Sequence, residues 1–293
     1  MKILVTGSNG QLGWEICRQG KASGFLIIPL DIPEFDITDQ DQVKDAVSKA
    51  DPDLVVNAAA YTAVDKAESE KDLAFSVNSD GPSYLAVACH KRHIPLIHIS
   101  TDYVFDGCKD GPYCEMDQVS PIGIYGISKA MGEEKIRRTL EEHIIIRTAW
   151  LYGVHGSNFV KTMLKLGKER EEIRVVADQY GCPTFAADLA GAILDIAARI
   201  NKDQRNSWGT YHYCGGGSTT WFNFASKIFE IAKLYEEFKI KKVIPIKTSE
   251  YPTAATRPMN SIMDCSLLEK EFLITQPSWE DSLASMLVRL YSY

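Results

Sequence analysis

Lys2-Ile3-Leu4-Val5-Thr6-Gly7-Ser8-Asn9-Gly10-Gln11-Leu12-Gly13 runs from a short apolar stretch straight into three evenly spaced glycines. The stretch reads as a buried strand, and a helix can begin beyond the glycines. Glycine permits a tight turn and lets backbone N–H groups approach an anion at a helix N-terminus. Gly7, Gly10, Gln11, Leu12 and Gly13 are therefore candidates to hold the pyrophosphate of a dinucleotide cofactor. Their spacing, G-x-x-G-x-x-G, departs from the usual G-x-G-x-x-G fingerprint, and a glycine trio also serves as a plain strand-to-helix turn. Its position at the first strand–helix junction is what points to a cofactor.

The alternation continues outward from this turn. Apolar runs at residues 25–30, 54–57, 96–100 and 144–148 are separated by segments of roughly helical period at 39–49, 79–91 and 121–140, with Thr38 or Asp39 as a cap. Near-continuous apolar strands between helices predict an α/β fold, a doubly wound parallel sheet of Rossmann type, over residues 1–150. The pattern loosens after residue 150. Helices are expected near 158–168, 186–199, 221–234 and 279–290, and strands near 173–176, 211–214 and 242–246. Gly215-Gly216-Gly217 is a break, and 249–258 reads as a loop. Residues 151–293 are thus expected to form a smaller C-terminal substrate-binding domain, part of which can return to the first.

Composition narrows the function. The 293 residues suit one large α/β unit or two small domains, and a hydrophobic fraction of 45% excludes a wholly disordered chain. Lys and Arg total 32 against 39 Asp and Glu, a net charge of −7, so nothing favours nucleic acid as a partner. Seven scattered cysteines with no C-x-x-C pair argue against a disulfide framework or a cysteine-built zinc site. No run approaches the ~18 apolar residues of a membrane span, and no signal-peptide pattern precedes Gly7. The expectation is a chain in the reducing cytoplasm, with no membrane partner.

Several residues then stand where a ligand would lie. Asp31 closes the second strand, 18 residues after Gly13, where a carboxylate accepts hydrogen bonds from a ribose; an ordinary strand-end Asp is the alternative. Ser100-Thr101-Asp102 ends the fourth strand, at the carboxyl edge where open α/β sheets bind ligands. Tyr125 and Lys129 are four apart, on one face of a helix that includes both. An ammonium beside a phenol lowers its ordinary value of ~10 and lets it exchange a proton with a sugar oxygen near neutral pH. Tyr-x-x-x-Lys alone is commonly a surface pair. It gains meaning here from the glycine turn, the strand-ending Ser-Thr-Asp and the interval of 24 residues from Thr101 to Tyr125.

Taken in order, Gly10-Gln11-Leu12-Gly13, the run Asn57-Ala58-Ala59-Ala60-Tyr61-Thr62-Ala63-Val64-Asp65-Lys66-Ala67-Glu68, and Ser100-Thr101-Asp102-Tyr103-Val104-Phe105-Asp106-Gly107 are followed by Tyr125-Gly126-Ile127-Ser128-Lys129. Arg147-Thr148-Ala149-Trp150-Leu151-Tyr152-Gly153, Asp178-Gln179-Tyr180-Gly181-Cys182-Pro183-Thr184 and Arg257-Pro258-Met259-Asn260-Ser261 complete the set. These stretches resemble the extended short-chain dehydrogenase/reductase superfamily and, within it, the dTDP-4-dehydrorhamnose reductase family, over nearly the whole chain. The 57–68 run is the specific part.

The resemblance implies hydride transfer from NADPH or NADH to the C4 ketone of a nucleotide sugar, dTDP-4-dehydro-L-rhamnose. It makes Tyr125 the proton donor, with Lys129 lowering its pKa and binding the cofactor ribose. Thr101 and Asp102 would meet the substrate oxygen. Asp31, Asp36, Ile37, Ala60, Tyr61 and Thr62 would touch the rest of the cofactor. Trp150 would pack on the sugar nucleotide and Arg257 on its diphosphate, where Arg suits phosphate through its planar fork; plain core and a surface ion pair are the alternatives for these two. Some members hold magnesium at a dimer interface through glutamates. Glu15 matches, but Ala187 stands where they carry a glutamate, so no metal is expected, and monomer or homodimer stays open. The competing functions are a non-catalytic regulatory subunit that binds the cofactor, or another nucleotide-sugar reductase or epimerase. An intact Thr101, Tyr125 and Lys129 favours an enzyme, and Tyr103 after Asp102 argues against a dehydratase. Asp31, with no Arg or Lys in 30–39, points to NADH, whereas the resemblance implies both cofactors.

Overall fold

The computed structural model describes residues 1–200 and 207–292. Strands of four or more residues are β1 (Lys2–Thr6), β2 (Leu26–Leu30), β3 (Leu54–Asn57), β4 (Leu96–Thr101), β5 (His143–Thr148), β6 (Glu172–Val176), β7 (Gly209–His212) and β8 (Lys242–Ile246). Helices of ten or more are α1 (Gln11–Ala22), α2 (Gln40–Ala50), α3 (Gly81–His90), α4 (Ile124–Thr139), α5 (Phe159–Glu169), α6 (Ala186–Ile200), α7 (Trp221–Ala232) and α8 (Trp279–Tyr291). Six strands form one parallel sheet in the order β7-β5-β4-β3-β1-β2.

The near-continuous apolar strands are explained by two cores, one on each face. Successive strand side chains point to opposite sides. Ile3, Val5, Leu54, Val56, Ile144 and Ile146 enter the core beneath α1 and α6. Leu4, Val55 and Ile145 enter the core beneath α2, α3 and α4. Each such fully buried side chain contributes ~1.5–3 kcal/mol relative to exposure. Asp39, rather than Thr38, caps α2, accepting from the N–H groups of Asp41 and Gln42 at 3.0 Å each. The helix expected at 79–91 starts earlier, at Lys71, and passes through a π-turn, Ser76–Asp80, into α3.

The second half of the chain does not stay apart from the first. Helix α6 supplies Leu189, Ile193 and Ile196 to the α1 core. Strand β7 adds to the sheet edge at β5, with Tyr211 opposite Ile146, so the strand expected at 211–214 lies two residues earlier. What remains is a smaller unit in which β6 pairs with β8 and packs against α5, α7 and α8 through Val160, Leu164, Ile173, Phe224, Ile228 and Leu283. No helix among the described residues is long and apolar enough to cross a membrane.

A buried ion pair fixes the helix that carries Tyr125 and Lys129. Arg147 at the end of β5 grips Glu133 of α4 with two hydrogen bonds of 2.9 and 2.8 Å, and both side chains are essentially without solvent. Arg137 adds a third bond, of 2.7 Å. Removing one partner strands a buried charge, so Arg147→Ala should cost about 3–5 kcal/mol in denaturant unfolding. Burial pushes the Glu133 carboxyl up, but the Arg147 hydrogen bonds and charge outweigh it and hold the value at about 2. A carboxyl lowered by folding stabilises above its unfolded value of ~4.3. That stability is lost as pH falls from there toward 2, and this acid-sensitive part should vanish in the variant.

Candidate active site

The glycine turn lies at the carboxyl end of β1, between β2 and β3. Gly7 has a φ of +71°, and a Cβ there would stand 2.4 Å from the Ala59 nitrogen; one on Gly13 would stand 2.0 Å from the Gly7 carbonyl. The turn is therefore closed on itself, with the small residues after β3 pressed against it. Gly10 caps α1 with no side-chain hydrogen bond, and the first turn of that helix carries no acidic residue, so its N–H groups and dipole stay available to an anion. The Asp31 carboxylate accepts from the N–H groups of Asn9 at 2.7 Å and Ile32 at 2.8 Å, joining the end of β2 to the turn. Asp36 holds Thr38 in a local turn, and the Ile37 side chain is buried in the core. Of Ile37, the main chain alone is left for a ligand.

Tyr125 and Lys129 share one face of α4, and Thr101 ends β4 beside them. The Thr101 hydroxyl donates to Asp102 Oδ1 at 2.9 Å and forms a hydrogen bond with Tyr125. Lys129 is buried, and its Nζ donates to the Ile99 carbonyl at 2.6 Å. The expected lowering of the Tyr125 value is reversed. Burial pushes the phenol up to about 12, against its hydrogen bond with Thr101, and the nearby Asp102 adds to the rise. Burial lowers Lys129 to about 8, against the pull of Glu133. The amine thus gives up its proton before the phenol does. Asp102 is raised by burial to about 6, opposed by the hydroxyls of Ser261 and Thr101, and its Oδ2 has no partner in hydrogen-bond geometry.

The 57–68 run holds this arrangement together through contacts that spacing alone does not reveal. Glu68 accepts from the Ile124 N–H at 2.9 Å and so anchors the start of α4, whose cap Gly123 has no side chain to offer. Asn78 binds both the N–H and the carbonyl of Tyr61, and donates to Ser128 at 3.0 Å. Tyr61 donates its hydroxyl to Glu70, and Thr62 is exposed beside Ala60. The roles of Glu68, Asn78 and Glu133 are not legible in the sequence, because each acts through a partner on a distant element.

A cavity of about 720 Å³ opens in the smaller unit, lined by Phe159, Trp221, Arg174, Tyr251 and Arg257 among others. Arg257 pairs with the Asp65 carboxylate through bonds of 2.7 and 3.1 Å while lining the cavity. Trp150 does not line it. Its ring stacks on Trp221 at a centroid distance of 3.5 Å and fills the space over Gly181, and Trp221 is the tryptophan that lines the cavity. A second cleft of about 530 Å³ lies at the amino-terminal ends of β5 and β7, away from the carboxyl edge that carries Thr101. Glu15 is buried, with its carboxylate bound by Arg18, Gln19 and Arg289, and Ala187 packs in the core of the smaller unit. Among the described residues no group of three His, Cys, Asp or Glu is placed to hold a metal ion.

The model of the RmlD substrate binding domain family matches residues 1–292. A dTDP-4-dehydrorhamnose reductase of Sinorhizobium fredii is 44% identical over 285 residues, covering 96% of this chain and 95% of the relative. The chain belongs to the dTDP-4-dehydrorhamnose reductase family. A solved reductase of this family from Clostridium acetobutylicum superposes with a TM-score of 0.93 at 40% identity, covering 99% of both chains. Another, from Bacillus anthracis and in complex with NADP, gives a TM-score of 0.92 at 42% identity, covering 98% of this chain and 99% of that one.

Proposed function

We propose that this protein reduces the C4 ketone of dTDP-4-dehydro-L-rhamnose to dTDP-L-rhamnose with NADPH or NADH, in the cytoplasm. The observation that carries this is the convergence of Thr101, Tyr125 and Lys129 at the carboxyl edge of the sheet that also bears the glycine turn. The closed turn and the open N-terminus of α1 suit the pyrophosphate of a dinucleotide and Asp31 at the end of β2 suits its ribose; the reduced nicotinamide would supply the hydride when bound. Tyr125 is the proton donor. A phenol whose value lies near 12 stays protonated at neutral pH, which suits a group that gives a proton to a ketone oxygen gaining charge. Thr101, which donates to Asp102, stands beside the Tyr125 hydroxyl, where it would meet the same substrate oxygen. The cavity and its arginines take the nucleotide diphosphate.

Incubation with NADPH and the keto sugar, followed at the nicotinamide absorbance, should show stoichiometric consumption. A regulatory subunit would bind the cofactor without consuming it. An epimerase would return the hydride and leave the absorbance unchanged.

Arg257→Ala should raise KM for the nucleotide sugar by roughly ten- to a hundredfold, the worth of ~1.5–3 kcal/mol for a charge-assisted hydrogen bond, with cofactor affinity little changed. An equal loss for the cofactor would move Arg257 to the other site. Asp31→Asn keeps an acceptor for the turn but removes a charge that repels a ribose 2′-phosphate. NADPH should gain on NADH in kcat/KM, and less so at high salt, where the repulsion is screened. An unmoved ratio would take Asp31 away from the ribose.

A further inference from the structure

Behind Lys129 lie polar side chains that the chemistry above leaves unused. Asn57 at the end of β3 and His98 in β4 are fully buried. The Ala59 N–H donates to Asn57 Oδ1 at 3.0 Å, and the Thr6 hydroxyl donates to the same oxygen at 2.8 Å. A main-chain N–H can only donate, so this bond fixes which way the Asn57 amide points. Its amino group then faces His98 Nδ1 at 3.0 Å. An amide NH₂ also only donates, so Nδ1 accepts and a neutral ring carries its proton on Nε2. That Nε2 stands 3.5 Å from Lys129 Nζ. The ring is kept neutral by burial and by the charges of Lys129, Arg137 and His143. A ring N–H therefore points at the lysine nitrogen. An ammonium has no lone pair to receive it; an uncharged amine has one.

We propose that His98 is a positioning residue for Lys129: locked by Asn57 as the Nε2–H tautomer, it presents a donor to Nζ and favours the uncharged amine over the ammonium. This rests on Lys129 being the lysine of the active site. The other groups facing Nζ are the Ile99 carbonyl on β4, which accepts from either form, and Glu133 one turn along α4, which favours the ammonium. His98 opposes Glu133. The consequence is a Lys129 ammonium that gives up a proton more readily: an N–H bond breaks, the proton passes to a base in the site, and the amine left behind accepts from Nε2–H.

The test uses the full-length protein with 15N-labelled histidine. NMR should show His98 as the Nε2–H tautomer at neutral pH, with an Nε2 signal that shifts as Lys129 ionises and no longer does so in Lys129→Met. In a separate arm, His98→Leu should move the alkaline limb of the kcat/KM profile upward by about one pH unit, the size of one lost hydrogen bond. A purely structural His98 would lower stability and leave that limb in place. An Nδ1–H tautomer, a doubly protonated ring, or an unmoved limb would overturn the proposal. The NMR arm needs no substrate, so it decides the role of His98 even if the protein reduces some other sugar.

Discussion

Tyr125→Phe should lose about 10²–10⁴-fold in kcat, the usual worth of a positioned general acid, while folding and cofactor binding are kept. The change removes one oxygen from a half-buried ring that packs edge-on against Tyr103 at 5.4 Å, so the ring itself stays in place. The lost hydroxyl bonds to Thr101, which keeps Asp102 and the Tyr103 N–H as partners. The unfolding midpoint should therefore move little. Steady-state rates and cofactor titration on the same preparation check this, and a variant with near-full activity would remove Tyr125 from the chemistry.

Lys129→Met should damage two quantities together. The proposed ammonium both supplies the proton relay to Tyr125 and holds the nicotinamide ribose. Its loss should weaken cofactor binding roughly ten- to a hundredfold, for a charge-assisted bond of ~1.5–3 kcal/mol, and lower kcat as well. The wild-type rate should fall on the alkaline side with a midpoint near the about 8 to which burial brings Lys129. That limb should be absent from the variant. Unchanged cofactor affinity and an unchanged pH profile would show that Lys129 serves only to hold the Ile99 carbonyl.

The parts of the molecule legible in the sequence are those whose cause is local. Strands buried on both faces need an apolar residue at nearly every position, so β1, β3, β4 and β5 stand out as runs. The glycine turn is legible because no other residue fits at Gly7 or Gly13. Tyr125 and Lys129 are legible through helical spacing. What spacing does not carry is partnership across the chain. Arg257 reaches back to Asp65, Glu68 holds the start of α4, and β7 returns to β5. Ionisation is the clearest case. A tyrosine and a lysine one helical turn apart suggest a lowered phenol, yet desolvation outweighs their pairing, raising the half-buried phenol and lowering the buried amine. Trp150 and Trp221 are likewise indistinguishable as letters. Stacking places Trp221 on the cavity side and Trp150 behind it.

The central claim is that a hydride passes to C4 of the sugar and stays there. NADPH carrying deuterium at the transferable position of its nicotinamide tests it directly, with the product examined by NMR. The account predicts dTDP-L-rhamnose with deuterium at C4 and one oxidised cofactor per sugar formed. Cofactor that is bound but not consumed, or a product without deuterium at C4, would contradict it.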